Sequence, residues 1–262
     1  MDRHARLASL LEMLAQNGKV DVDQAVGQLG ASAATIRRDL VYLDQQRLAT
    51  RTHGGAVANS AAYDLPLRFK TQRAADQKRG IGVRAAALAP VGGVVALNGG
   101  TTTLEVARAI AARADLASQD GAAQTLTVVT NAVNLAAELL ARPYLKLVVT
   151  GGVVRQHSYE LFGPLAERSI ESLSVDVLFL GVDGFDAGFG ASAHSDAEVS
   201  TNSLLVRAAA EVVAVADSSK IGRRAFAQIC RAQDVAKLVT DQGIAPAAKT
   251  QFEALGIEVI TV

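Results

Sequence analysis

A single cysteine, Cys230, excludes an intramolecular disulfide and points to a reducing compartment. Tryptophan is absent and aromatic residues fill only 4% of the 262 positions, so any core must be built from Leu, Val, Ile and Ala. No stretch reaches ~18 uninterrupted apolar residues, which argues against a membrane-spanning helix. The opening "MDRHARLASLLEML" has neither a long apolar centre nor a small-residue cleavage site. No signal peptide is expected, and the predicted location is cytoplasmic. His4, His53, His157 and His194 do not stand at metal-ligand spacing with one another or with Cys230, so neither a metal nor a cofactor is predicted. Cys230 reads as a small buried hydrophobe.

Charge is balanced overall but unevenly spread. Residues 1–80 carry 12 Lys and Arg against 8 Asp and Glu, a net of +4, and the remainder carries 14 against 18, a net of −4. A basic first segment on an acidic remainder points to a polyanion partner for the first segment alone. Three helical patterns open that segment. Leu7, Leu10, Leu11 and Leu14 recur at helical spacing until Asn17-Gly18. Asp21 caps a second helix ended by Gly30, and Ser32 caps a third that runs to about Gln46. On the third helix Ile36, Leu40 and Leu43 fall within about 60° of one another at ~100° per residue and form the buried stripe. Measured from Ile36, Arg38 lies at about 200°, Arg37 near +100° and Thr35 near −100°. Both arginines therefore face away from the core. After the helix, "RLATRTHGGA" reads as two short strands and a turn, with Arg51 and His53 near its end.

Helix, helix-turn-helix and basic wing together make a winged helix-turn-helix, whose third helix enters a DNA major groove. Ser32, Thr35, Arg37, Arg38, Arg51 and His53 are the predicted DNA-binding residues, reaching phosphates or base edges. An isolated arginine pair would more often be a solvated helix face. The short preceding helix, the serine cap and the wing at the right distance favour DNA. The stretch "ASAATIRRDLVYLDQQRLATRTHGGA" resembles the signature of the DeoR-type bacterial transcription regulators. It departs at Arg47, where that family more often has a glycine ending the recognition helix. Residues 59–80 read as a linker around Asn59–Pro66, then a basic helix with Arg68, Lys70, Arg73, Lys78 and Arg79. Spacing does not separate a solvated connector from a DNA-contacting one.

From residue 81 onward, short Val- and Leu-rich runs alternate with helical stretches: "GVVALNGG" with "TTLEVARAIAAR", "TLTVVTN" with "AVNLAAELLA", "VDVLFLGVDG" with "DAEVSTNSLLVRAAA". "LKLVVTGG", "EVVAVADSSKIG", "AKLVTD" and "IEVITV" continue the series. Such alternation predicts an α/β fold, a Rossmann-like parallel sheet covered by helices on both faces. Ligands of such sheets bind beyond the carboxyl ends of the strands. Those ends are Asn98 to Thr103, Thr130-Asn131, Gly151-Gly152, Asp183-Gly184 and Asp217 to Lys220. Two glycines and three threonines where a helix begins outline a phosphate cradle, though turn and cap residues look the same on spacing alone. Lys220 offers a charge for phosphate and Asp183 an acceptor for sugar hydroxyls.

The resemblance covers essentially the whole chain, through "NGGTTT", "VVTN", "TGG", "LGVDG" and "ADSSKIG" in order. It implies an effector domain similar in fold to ribose-phosphate isomerase and glucosamine-phosphate deaminase, sensing a phosphorylated sugar that loosens the N-terminal domain from its operator. It further implies that Gly100, Thr101 and Thr102 hold the phosphate, with Asp183 and Lys220 near the sugar and Glu198 in the following helix. Asn98, Thr103, Asn131 and Gly152 complete the predicted effector-binding set. The sequence departs from the family at Asn98, often aspartate, and at Phe189-Gly190-Ala191, where Gly-Leu-Thr is common. The predicted organisation is a winged helix-turn-helix over 1–58, a linker over 59–74 and an effector-sensing α/β domain over 75–262. The predicted function is a non-enzymatic repressor of a carbohydrate-utilisation operon, with operator DNA and a phosphorylated sugar as partners and no membrane partner. A homo-oligomer, dimer or tetramer, is expected because two half-sites require at least a dimer. The alternative is an active sugar-phosphate isomerase or deaminase with an accessory DNA-binding domain. That needs a general base, and Asp183 or Asp217 is the nominee. A large pocketed domain argues against an architectural DNA binder.

Overall fold

The computed structural model describes residues 2–46, 48–58, 67–71, 73–117 and 124–262, apart from the side chains at positions 4, 12, 15, 16, 68 and 69. The chain divides into two units, Met1–Arg73 and Ala74–Val262. Arg47 and the stretch from Asn59 to Pro66 lie outside the described residues.

In the first unit, α1 (Arg3–Asn17) starts on an Asp2 cap and stops at Gly18, which takes the left-handed conformation. Helix α2 (Val22–Leu29) starts on Asp21, whose carboxylate accepts from the N–H groups of Asp23 and Gln24, and stops at left-handed Gly30. Helix α3 (Ala33–Gln45) starts on Ser32, whose Oγ accepts from Thr35 N–H. Leu7, Leu10, Leu11 and Leu14 meet Ile36, Leu40 and Leu43 in one buried cluster. The wing is three-stranded, not two. Strand β1 (Lys19–Asp21) joins β2 (Ala49–Arg51) and β3 (Gly55–Ala58) in the order β1-β3-β2. Three residues are too few to show a period in sequence, and only Val20 of β1 is buried. A Cβ on Gly55 would collide with the Val20 carbonyl, so the glycine is what lets β3 pair there. A single turn, α4 (Leu67–Lys70), follows.

In the second unit, α5 (Ala75–Ala86) precedes a seven-stranded parallel sheet. Its strands are β4 (Val94–Leu97), β5 (Leu126–Thr130), β6 (Leu145–Val149), β9 (Val175–Gly181), β12 (Ala209–Val215), β14 (Lys237–Thr240) and β15 (Glu258–Thr261). Their order is β15-β14-β12-β9-β4-β5-β6. The central strands are buried on both faces, as continuous apolar runs require. Val95, Leu97, Val177 and Phe179 face a core with Ile81 of α5, Val106 of α6 (Thr101–Ala111) and Leu135 of α7 (Val133–Leu139). Ala96, Leu178 and Leu180 face a second core with Ile170 of α8 (Pro164–Glu171), Leu205 of α9 (Asp196–Ala208) and Phe252 of α10 (Pro246–Ala254).

Two small sheets escape sequence reading. One is the hairpin β7 (Val153–Val154) and β8 (Leu161–Phe162). The other is β10 (Gly184–Asp186), β11 (Gly190–Ala193) and β13 (Ala227–Cys230), which supplies Phe185, Ala191 and Ile229 to the second core. Phe185 stacks on Phe252 with ring centroids 4.6 Å apart. Cys230 is buried, and burial first and the Asp234 charge second push its thiol up to about 12.

Candidate functional site

The candidate DNA-reading surface is built on α3. Arg37 and Arg38 are exposed, and among the described residues neither has an ion-pair partner. The helix start is doubly tied, with Ser32 Oγ 3.2 Å from Thr35 N and 2.9 Å from Thr35 Oγ1. Ser32 and Thr35 therefore spend part of their hydroxyl capacity on each other. Arg51 is exposed on β2 and its N–H donates to Asp44 Oδ1 at 3.1 Å, which pins the wing to α3. His53 is exposed in the wing turn.

Asp39 stands outside the predicted DNA-binding set. It is only 1% exposed, and its Oδ2 lies 2.5 Å from Arg6 Nε on α1, with Arg3 Nε 3.7 Å from the other oxygen. Arg3 in turn covers the Tyr42 ring at 4.7 Å. This charged crossbar fixes the roll of α3 about its axis and so the direction in which Arg37 and Arg38 point. The signal was in the sequence: Asp39 sits about 60° from Ile36, at the edge of the apolar stripe, where a charge requires a partner. Asp39→Asn is expected to cost about 1–3 kcal/mol, because the neutral amide keeps an acceptor oxygen but leaves the Arg6 guanidinium without its counter-charge. Hydrogen exchange of α1 and α3 amides in the full chain checks this, and exchange as slow as in the parent would show the pair to be dispensable.

In the connector, Lys78 is buried on α5 and so forms no part of an open basic face, whereas Arg79 is exposed and paired with Asp76 at 3.1 Å.

In the second unit the strand ends form one row, because neighbouring parallel strands finish side by side. At its centre is the loop from β4 to α6. Asn98 is buried, and its amide exchanges two hydrogen bonds with the Gly181 backbone, donating from Nδ2 at 3.0 Å and accepting at Oδ1 at 2.7 Å. It clamps β4 to β9. Thr103 is fully buried and its hydroxyl donates to the Gly100 carbonyl at 3.1 Å. Thr102 is also buried, and Thr101 is half-buried. Helix α6 has no side-chain cap at Gly100, so its first N–H groups are left for another acceptor.

On one side of this loop, Lys220 Nζ stands 3.8 Å from Asp183 Oδ1, and Asp183 Oδ2 also accepts from His194 N–H at 3.2 Å. Lys220 ends a short 3-10 turn over Ser218–Lys220 that Asp217 caps. Burial alone would raise the neighbouring Asp241 carboxyl, but donors from Ser218 and Gly243 leave it below the usual range. Asp217 and Asp241 thus hold the lysine-bearing turn. At the far side, Gly152 packs against the Phe162 carbonyl and Ala166, a contact that seats α8.

On the other side lies a polar cluster that the sequence reading entered only through Asn131 and Glu198. Glu160 is 2% exposed and its Oε1 accepts from Gly99 N–H at 2.8 Å. Its carboxyl is held well above the usual range, first by burial and then by the Glu198 charge, against the pull of Gly99 and Asn202. Glu198 pairs with Arg155 at 3.2 Å, and Asn131 Nδ2 reaches Asn202 Oδ1 at 3.4 Å. Glu160 comes from a loop without periodicity. Its one trace in the sequence is Gly99, where a Cβ would collide with the Glu160 side chain. Among the described residues, no group of His, Cys, Asp and Glu is placed to hold a metal ion, and no helix is long and apolar enough to cross a membrane.

Residues 6–62 match the DeoR-like helix-turn-helix domain, and residues 73–242 match the DeoR C terminal sensor domain. The HTH-type transcriptional regulator GlpR of Haloferax volcanii is 34% identical over 256 residues, covering 97% of this chain and 96% of its own. The glycerol-3-phosphate regulon repressor of Escherichia coli K12 is 27% identical over 241 residues, 92% of each chain. Among solved structures, ribose 5-phosphate isomerase A of Methanocaldococcus jannaschii aligns with 56% of this chain and 54% of its own, at 16% identity and a TM-score of 0.41.

Proposed function

The chain belongs to the DeoR family of transcriptional regulators, and from that premise we propose that it is the cytoplasmic repressor of a carbohydrate-utilisation operon, released from its operator by a phosphorylated sugar. It acts as at least a dimer, since a winged helix-turn-helix that reads a two-fold operator needs two copies. Arg38 reads a base edge, while Arg37, Arg51 and His53 hold phosphates. Ser32 and Thr35 set the start of the reading helix and meet the backbone beside it.

One observation carries the effector half of this reading. Helix α6 begins uncapped at the middle of the strand-end row, with the Lys220 ammonium held beside that row by a capped turn. An uncapped helix start favours an anion, and an ammonium adds a charge-assisted bond. The N–H groups of the first turn and the Thr101 hydroxyl take the phosphate. Asp183 accepts from the sugar. Asn98, Thr103 and Gly152 support the site through the backbone contacts described above, rather than through ligand contacts. The enzyme alternative finds its nominated bases already engaged. Asp217 is spent on Ser219, Asp183 on His194 N–H and Lys220, and Glu198 on Arg155.

Thermal unfolding across phosphorylated sugars and their unphosphorylated parents tests this, because a ligand of the native state raises the melting temperature. At least one phosphorylated sugar is expected to raise it and to release preformed protein–operator complex, while its parent does neither. A panel in which no sugar phosphate alters stability or DNA affinity overturns the sensor reading.

A further inference from the structure

Helix α9 turns Glu198, Thr201 and Asn202 inward, although an apolar face would pack at lower cost. Glu198 and Asn202 meet Glu160, Asn131 and Arg155 next to the start of α6. Two features set the cluster apart from the neighbouring clamps. Asn98 and Thr130 have their polar atoms matched, Thr130 Oγ1 donating to the Leu97 carbonyl at 2.7 Å and accepting from Ala132 N–H at 3.1 Å. Asn131, by contrast, is fully buried and, among the described residues, its Oδ1 has no hydrogen-bond donor. A buried acceptor without a donor calls for one, and a bound hydroxyl is one way to supply it. The second feature is position. Glu160 Oε1 touches Gly99 N–H, one residue before the uncapped helix start, so whatever binds at α6 lies beside the cluster.

Charge selects the chemistry. Arg155 pairs with Glu198, and the Glu160 carboxyl, buried against Glu198 and hydrogen-bonded to it, is shifted toward its neutral form. A proton shared between the two carboxyls leaves the Arg155–Glu198 pair as opposite charges that cancel. A neutral array of one acid hydroxyl, a carboxylate and two carboxamides suits hydroxyl groups, which both donate and accept. An ammonium would have to displace the Glu160 proton to find a counter-charge.

We propose that Glu160, Glu198, Asn202 and the open Asn131 Oδ1 form a hydroxyl-reading subsite beside the α6 anion position, making Glu160 and Asn131 determinants of specificity for uncharged, phosphorylated polyols and sugars over amino sugars. The proposal rests on the phosphorylated-sugar reading above and names the substrate class of that site.

Calorimetric titration of the full chain with inorganic phosphate, glycerol 3-phosphate, glucose 6-phosphate and glucosamine 6-phosphate tests it. The parent is expected to bind one of the two neutral esters more tightly than phosphate or the amino ester. Asn131→Leu should leave phosphate affinity unchanged and lower that ester's affinity about tenfold, the loss that accompanies one hydrogen bond. Glu160→Gln copies the neutral acid in shape and donor, so it should keep the preferred ester within about threefold. Asn131→Leu binding that ester as the parent does overturns the subsite and leaves the anion position standing. Tightest binding of the amino ester, lost in Glu160→Gln, overturns the neutral class. A parent that binds none of the four overturns the effector reading and the subsite with it. If Asn131→Leu melts far below the parent, Asn202→Leu replaces it with the same expected loss.

Discussion

Replacing Arg38 by alanine is expected to abolish the preference for operator over random duplex while leaving the fold unchanged. The side chain is exposed, and α3 is held from the opposite side by Ile36, Leu40, Leu43 and the Asp39–Arg6 pair. None of these contacts involves Arg38, so its truncation leaves the helix seated. Arginine on a base edge forms a bidentate pair worth about 1–3 kcal/mol of discrimination, or roughly 5- to 150-fold per half-site. Arg37 makes the control. At about 100° from the apolar stripe it is assigned to the DNA backbone in the proposed docking, so Arg37→Ala should weaken operator and random duplex by similar factors. Competition binding with both duplexes reads the difference. Arg38→Ala retaining the parent's preference would mean that α3 is not the reading helix.

The N-terminal unit was largely legible because its signals are local. Asp21, Ser32, Gly18 and Gly30 start or stop helices by their own side-chain or backbone chemistry, and they do so in the structure. The parallel sheet was legible for another reason: doubly buried strands must be apolar throughout, which leaves runs such as "VDVLFLG". What escaped depends on partners distant in sequence. Strand β1 is defined by pairing with β3, some 36 residues on, and the β10-β11-β13 sheet by a partner past residue 226. The site divides the same way. Strand-end positions such as Asp183 and Lys220 followed from topology, because each strand's end is known once the strand is. Glu160 did not, because it lies in the loop between β7 and β8 and reaches Gly99 from 61 residues away. Likewise, the sequence offers Asn98 and Gly152 as ligand groups, and the backbone contacts that also engage them appear only in three dimensions.

The other large effect is expected from Lys220→Ala, which should leave operator binding near the parent's value without effector and make release far less sensitive to it. Lys220 is partly exposed and stands 3.8 Å from Asp183, and thermal unfolding of the variant beside the parent shows whether the fold is kept. Asp217 and Asp241 still hold the turn, since their bonds run to Ser218, Ser219 and Gly243. In the proposed site a charge-assisted bond to phosphate disappears, worth about 1.5–3 kcal/mol, so release should need roughly 10- to 150-fold more effector. The direction follows from linkage. An effector shifts DNA affinity only by its own differential affinity for the free and DNA-bound states, and operator must weaken effector binding by the same factor. Lys220→Ala lowers affinity for effector in both states. The concentration at half-release therefore rises, while the plateau reached at saturation stays where the parent's is, provided Lys220 contacts the phosphate equally in the two states. A lowered plateau would instead place Lys220 among the groups that distinguish them. Half-release at the parent's effector concentration would remove Lys220 from the site altogether.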